Sequence, residues 1–208
     1  MNQTPEQAAY AAECARIKAL IPHLYCGDRE TVDLGDGYSA RIKIEQDSDC
    51  GTPWDNCDGH GPVSDWTSRD KAPGERVLCA DRGIKRFYDW AAAIKEAKRD
   101  GWDAPPYGEG TPGERAVRAA EADFQYLRAW CNNDWCYVGV IVTLYRDISR
   151  TSKECVGRDA LWRVESSGDY PLEQAAEMIA GLMSADRDEQ SEAAHWAARD
   201  VITEGARP

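Results

Sequence analysis

Residues 136–147, CYVGVIVTLYRD, constrain the fold more than any other part of the chain. The run is long and β-branched, a composition that suits a pleated strand better than a helix. Val138, Val140, Val142 and Leu144 alternate onto one face, the pattern of a strand laid on a core. DALWRVES, residues 159–166, is its expected partner across the loop ISRTSKECVGR. YSARIKIEQ, residues 38–46, alternates in the same way, with Ala40, Ile42 and Ile44 on one side and Arg41, Lys43 and Glu45 on the other. RVLCAD at 76–81 reads as a further short strand.

Helices separate these strands. Thr4-Pro5-Glu6 is a helix start, with Thr4 as the cap and Pro5 in the first turn, and the alanine-rich run behind it extends to Leu20 before Pro22. FYDWAAAIKEAKRDGW places Trp90, Ile94 and Ala97 on one stripe, and Gly101 closes it. Residues 114–131 repeat the pattern with Val117, Ala120, Phe124, Leu127 and Cys131. Asp169 caps a helix from 171 to 185 facing inward through Leu172, Ala176, Ile179 and Met183, and a polar helix follows over 188–204. RGIKR reads as a turn, and residues 26–37, rich in Gly and Asp, as a loop. The fold class is therefore α+β: a mainly antiparallel four-stranded sheet from 38–46, 76–80, 136–146 and 159–166, with helices on one face and C-terminal helices added. Residues 1–168 are expected to form one domain and 169–208 a helical extension packed on it.

Between the strands at 38–46 and 76–81 runs a long connection, residues 47–74, broken by Gly51, Pro53, Gly59, Gly61, Pro62, Pro73 and Gly74. Connections of this length are functional or disordered in compact domains. Disordered segments are poor in aromatics, so Trp54 and Trp66 imply an ordered loop that they pin. The stretch DSDCGTPWDNCDGHGPVSDW at 47–66 is the candidate binding site, through Asp47, Asp49, Trp54, Asp55, Asp58, His60, Asp65 and Trp66.

Three chemistries compete for that stretch. Zinc would take Cys50, Cys57 and His60, but the tight Cys-x2-4-Cys knuckle of structural zinc sites is missing and a fourth ligand would have to come from elsewhere. The aspartates fail the calcium-loop pattern. His60 beside Cys57 and Asp58 is the candidate general base of a hydrolytic site. No nucleophile motif accompanies it, and the plainer account is an imidazole that bonds the loop backbone and holds its shape. No phosphate-loop or dinucleotide-binding motif is present. These residues lean away from an enzyme, with no cofactor required and zinc as the alternative.

Charge narrows the partners. The chain has 25 basic and 37 acidic residues, a net charge of −12. Residues 27–66 carry ten acids and three bases, 67–100 six acids and nine bases, and 169–208 nine acids and three bases. The basic middle mixes Arg69, Lys71, Arg76, Arg82, Lys85 and Arg86 with Phe87, Tyr88 and Trp90, a set able to contact phosphates and stack bases. The acidic flanks weigh against direct nucleic-acid binding there. Tryptophan (8) and tyrosine (9) outnumber phenylalanine (2), which suits either a tryptophan-built core or an interface. The eight cysteines are scattered and the N-terminus has no basic leader with an apolar stretch, so reduced thiols and a cytoplasmic location are expected. No apolar run is long enough for a membrane span.

GHGPVSDWTSRDKAPGERVLC, with RFYDWAAAIKEAKRDGWDAPPYG behind it, resembles a group of bacteriophage-, prophage- and plasmid-encoded proteins to which no activity is attached. The likeness spans roughly residues 40–145 and implies a mobile-element origin in a bacterial host. It carries no catalytic residues across. Origin, acidity and absent motifs together lead to an accessory protein that binds a host protein stoichiometrically. An inhibitor of a defence system (anti-CRISPR or anti-restriction) that occupies a nucleic-acid groove with carboxylates would fit. The alternatives are a metal-dependent enzyme or zinc module centred on 47–66, and a nucleic-acid-binding regulator using 67–90.

Overall fold

A computed structural model describes residues 4–56 and 59–204. Its elements run α1 (Pro5–Leu20), β1 (Arg29–Gly35), β2 (Tyr38–Gln46), α2 (Pro53–Asn56), β3 (Glu75–Asp81) and β4 (Ile84–Asp89). They continue with α3 (Trp90–Asp100), α4 (Pro112–Cys131), β5 (Tyr137–Ser149), β6 (Ser152–Glu165) and α5 (Tyr170–Glu204). The class is α+β, and a four-stranded antiparallel sheet in the order β1-β2-β5-β6 is its largest feature. Contacts divide the chain into two compact units, Met1–Asp47 with Tyr137–Pro208, and Ser48–Cys136. This division differs from the one expected at residue 168: α5 belongs to the first unit, and the second is a long excursion between β2 and β5.

In the first unit, β2 and β5 pair in register from Tyr38↔Arg146 to Gln46↔Val138. Ala40, Ile42, Val138, Val140, Val142 and Leu144 are all fully buried, as their alternation requires. Helices α1 and α5 cover this face. Leu172, Ala176, Ile179 and Met183 point inward from α5 and Ile17 from α1. α1 begins with a capping box in which Thr4 and Gln7 satisfy each other's backbone N–H.

Four expectations for these elements change. Residues 29–35 form a strand where a loop was expected. Val32 and Leu34 are buried, and Asp36 and Gly37, with φ of 52° and 76°, make the tight turn that returns the chain into β2. An Asp-Gly pair with both φ positive matches the right-handed twist of a hairpin. The expected strand at 76–80 is present but lies in a separate hairpin, and β1 takes its place at the sheet edge. β6 starts at Ser152, so most of the expected loop is strand. The two C-terminal helices are one, because no glycine or proline interrupts residues 184–191.

The second unit is the β3-β4 hairpin with α3 and α4. Arg82 and Gly83, both at positive φ (43° and 90°), form its turn, so RGIKR is part of a hairpin and Phe87 and Tyr88 lie in strand β4. α3 starts at Trp90, capped by the Asp89 side chain, and ends on Gly101 in the left-handed region. Leu78, Tyr88, Ala93, Ala120, Phe124 and Leu127 form the core. Val117, expected in that stripe, is 46% exposed; the alanines at 116, 119 and 120 face inward instead. No helix among the described residues is long and apolar enough to cross a membrane.

Candidate functional site

Residues 62–67 run alongside the hairpin. Pro62 and Ser64 exchange backbone bonds with β4: Asp89 N–H donates to the Pro62 carbonyl and Ser64 N–H to the Phe87 carbonyl, each at 2.9 Å. Thr67 and Lys85 bond reciprocally at 2.9 and 2.8 Å. The segment thus runs as an irregular third strand against β4.

Tryptophan and arginine fasten it from the other side. The Arg86 guanidinium lies 5.1 Å from the Trp54 ring centroid and 5.2 Å from that of Trp66. Trp54 also meets Trp130 edge-on at 5.3 Å. A cation on an aromatic face contributes about 0.5–2 kcal/mol, so Arg86 links two points of the loop twelve residues apart. Arg86→Ala is expected to lower the unit's stability by about 1–2 kcal/mol, read by urea denaturation. A loss no larger than that of an ordinary exposed arginine would show that the two ring contacts contribute nothing.

Beneath the loop is a buried carboxylate. Asp123 on α4, with a side chain 8% exposed, accepts from His60 Nδ1–H at 2.6 Å, Gly61 N–H at 2.8 Å and Tyr88 O–H at 2.7 Å. The His60 ring stacks on Tyr126 at 5.6 Å and 11°. Tyr126 meets Trp135 at 4.6 Å. Gly61 is required by close approach: a Cβ there would come within 2.5 Å of the Tyr88 hydroxyl and 2.6 Å of Ala93 Cβ. Burial, and next the bond to Asp123, raise the Tyr88 phenol far above its ordinary pKa, so it remains a neutral donor.

The expected site residues fall in different places. His60 was expected to bond the loop backbone; its Nδ1 instead meets the Asp123 carboxylate on α4. Asp–His pairing is the orienting half of a catalytic triad. Among the described residues no hydroxyl or thiol bonds the other imidazole nitrogen. Asp49, Asp55 and Asp65 are exposed; Asp55 accepts the Thr52 hydroxyl at 2.5 Å. Trp66 is 42% exposed and Trp54 half-buried against the core. Asp47 belongs to the other unit, where its carboxylate accepts from Arg163 N–H at 3.1 Å. Cys57 and Asp58 lie outside the described residues. Of the zinc set, Cys50 is buried and His60 Nδ1 is engaged. No group of three or more His, Cys, Asp or Glu is placed to hold a metal among the described residues.

The basic segment 67–90 is less available than its composition implies. Arg69 lies over Phe87 at 4.6 Å and forms a two-point ion pair with Glu75 at 2.5 and 2.7 Å. Arg76 lies over Trp90 at 3.2 Å and bonds Glu121 at 2.8 Å. Phe87 and Tyr88 are 1% and 0% exposed, so neither can stack on a base. Burial, and next the neighbouring Cys79 thiol, pushes the Cys131 thiol up to about 12, leaving almost no thiolate to act as a nucleophile.

Asp123 is the organising residue that the sequence reading did not single out, and Arg86 and Tyr88, read there as possible nucleic-acid contacts, instead join the loop to the core. Only the left-handed Arg82-Gly83 turn, which places Arg86 and Tyr88 on a strand, was locally legible. No protein-family model, no curated protein and no solved structure matches this chain.

Proposed function

We propose that this chain acts by stoichiometric binding to a host protein, as an accessory protein of a bacteriophage or other mobile element. The binding element is the acid-rich stretch 48–66, and its target is a cationic groove of the kind that holds nucleic acid in a host defence enzyme. The observation that supports this is preorganisation. The loop is tied at Trp54, Trp66, His60 and Gly61, while Asp49, Asp55 and Asp65 remain on the surface. A loop already rigid when free loses little conformational entropy on binding, and complementary charge steers the encounter.

The test is a bacterial strain carrying a restriction or CRISPR system, with plating of a susceptible phage as the readout. Expression of the chain is expected to restore plating, and the variant D49K/D55K/D65K to abolish that effect. All three positions are exposed, so the variant is expected to unfold like the parent protein. Plating unchanged by the parent chain in every system, or restored equally by the charge-reversed variant, would overturn the reading.

A further inference from the structure

The uncovered face of the four-stranded sheet carries a second set of groups. α1 and α5 occupy the opposite face. The open face begins at Arg29 on β1 and crosses Arg41, Lys43 and Glu45 on β2, Ile141, Thr143 and Tyr145 on β5, and Cys155 and Arg158 on β6. Together these residues line a groove of about 440 Å³. Register explains the clustering: Arg29 sits opposite Lys43, Arg41 opposite Thr143, and Thr143 opposite Arg158.

Four cations and one carboxylate therefore share a groove on a protein whose net charge is −12. Glu45 pairs with Lys43. Arg29, Arg41 and Arg158 form no side-chain hydrogen bond or ion pair among the described residues. Arg41 does lie 5.3 Å from the Tyr145 ring centroid.

Aromatic surface borders the cations. Trp162 on β6 is 47% exposed. Its indole covers Gly139, where a Cβ would come within 2.5 Å of the ring. Gly139 is opposite Glu45 in the register, so the indole lies on this same face. A side chain at 139 would displace it.

We propose that this sheet face binds single-stranded nucleic acid. Three strand spacings separate the Arg29 and Arg158 backbones, about 14 Å. A chain of phosphates spans that distance, and arginine forks suit phosphate oxygens. Trp162 and Tyr145 offer ring faces to unpaired bases, which a duplex would keep stacked on each other. An acidic polypeptide would match the charge but makes no use of the rings. The remote negative charge is screened beyond about 8–10 Å at physiological salt. This surface is separate from the acidic loop, and its test is independent of plating.

The experiment is fluorescence anisotropy with labelled oligo(dT) of about a dozen nucleotides and the full chain. Three phosphate contacts predict that affinity falls about 20-fold when salt rises fourfold. R29A/R158A is expected to weaken binding at least about tenfold and flatten that salt dependence. W162A is expected to weaken it about fivefold or more, with Trp162→Phe recovering most of the loss. Arg82→Ala, at a side chain 93% exposed in the other unit, is expected to change nothing. Circular dichroism confirms that each variant is folded. No binding up to about 100 µM at low salt, or binding that R29A/R158A leaves intact, would overturn the proposal. So would competition by polyglutamate or by duplex DNA as effective as that by the unlabelled strand.

Discussion

Asp123→Ala is expected to destabilise the Ser48–Cys136 unit by about 3–5 kcal/mol. The carboxylate accepts three hydrogen bonds, from His60, Gly61 and Tyr88, and its side chain is only 8% exposed. Alanine removes both acceptor oxygens, and with them all three bonds, and leaves the donors behind. The Tyr88 hydroxyl suffers most, because its residue is 0% exposed and its other acceptor, the Ala120 carbonyl, is 3.4 Å away. A buried donor left unmatched costs about 1–3 kcal/mol, and the loop above loses its attachment at His60 and Gly61 together.

Tyr88→Phe separates the contributions. It removes one donor and keeps the ring in the core, so a loss of about 1 kcal/mol is expected. In Asp123→Ala/Tyr88→Phe the orphaned hydroxyl is gone, and the double variant should be more stable than the sum of the single losses predicts. Tryptophan fluorescence in urea is the measurement. Trp54, Trp66, Trp90, Trp102, Trp130 and Trp135, six of the eight tryptophans, fall within this unit. A loss below about 1 kcal/mol for Asp123→Ala would mean that the network contributes little.

The other large effect is expected at Asp186, on α5. Its carboxylate, 7% exposed, accepts from Tyr38 O–H at 2.6 Å, Gln190 Nε2 at 2.6 Å and Arg146 Nη1 at 2.8 Å. Burial, and next the bond to Asp186, raise the Tyr38 phenol. The hydroxyl therefore stays protonated and donates. Asp186 thus ties the middle of α5 to the first residue of β2 and to the Arg146 side chain of β5. Asp186→Ala is expected to cost about 3 kcal/mol, somewhat less than a fully buried pair because Arg146 keeps Glu154 at 2.9 Å. Glu154→Ala removes only that outer partner, 52% exposed, and is expected to cost less than about 1 kcal/mol. Hydrogen exchange over residues 170–190 and the helical circular dichroism signal report the difference. Equal losses for the two variants would contradict the assignment.

Much of the architecture was legible residue by residue. The alternation of Ala40, Ile42 and Ile44, and of Val138, Val140, Val142 and Leu144, determined two strands and the side each presents to the core. Thr4-Pro5 and Gly101 determined helix ends, and the stripe on α5 determined its inward face. Two strands were missed although their signals are local. Val32 and Leu34 before Asp36-Gly37 form a hairpin pattern inside a stretch that looks like a loop by composition alone. Arg82-Gly83 does the same for β4, where aromatic residues running into an alanine-rich helix hid the boundary.

The candidate site divides along the same line. Trp54 and Trp66 implied an ordered loop, and both rings lie against the Arg86 guanidinium. Arg86, the cation that joins them, comes from a segment whose charge had suggested phosphate contacts. Asp123 is 63 residues from His60 and 35 from Tyr88, and Asp186 is 148 from Tyr38. Periodicity records how each residue faces within its own element, because 3.6- and 2-residue repeats are properties of local backbone geometry. It carries no address for a partner in another element. A buried carboxylate must meet donors, but which donors it meets depends on how the elements pack. By itself the sequence determined the α+β class and the core faces of β2, β5 and α5. The tertiary structure alone decided that Asp123 joins elements within one unit and Asp186 elements within the other, and that Arg29, Arg41 and Arg158 share one sheet face.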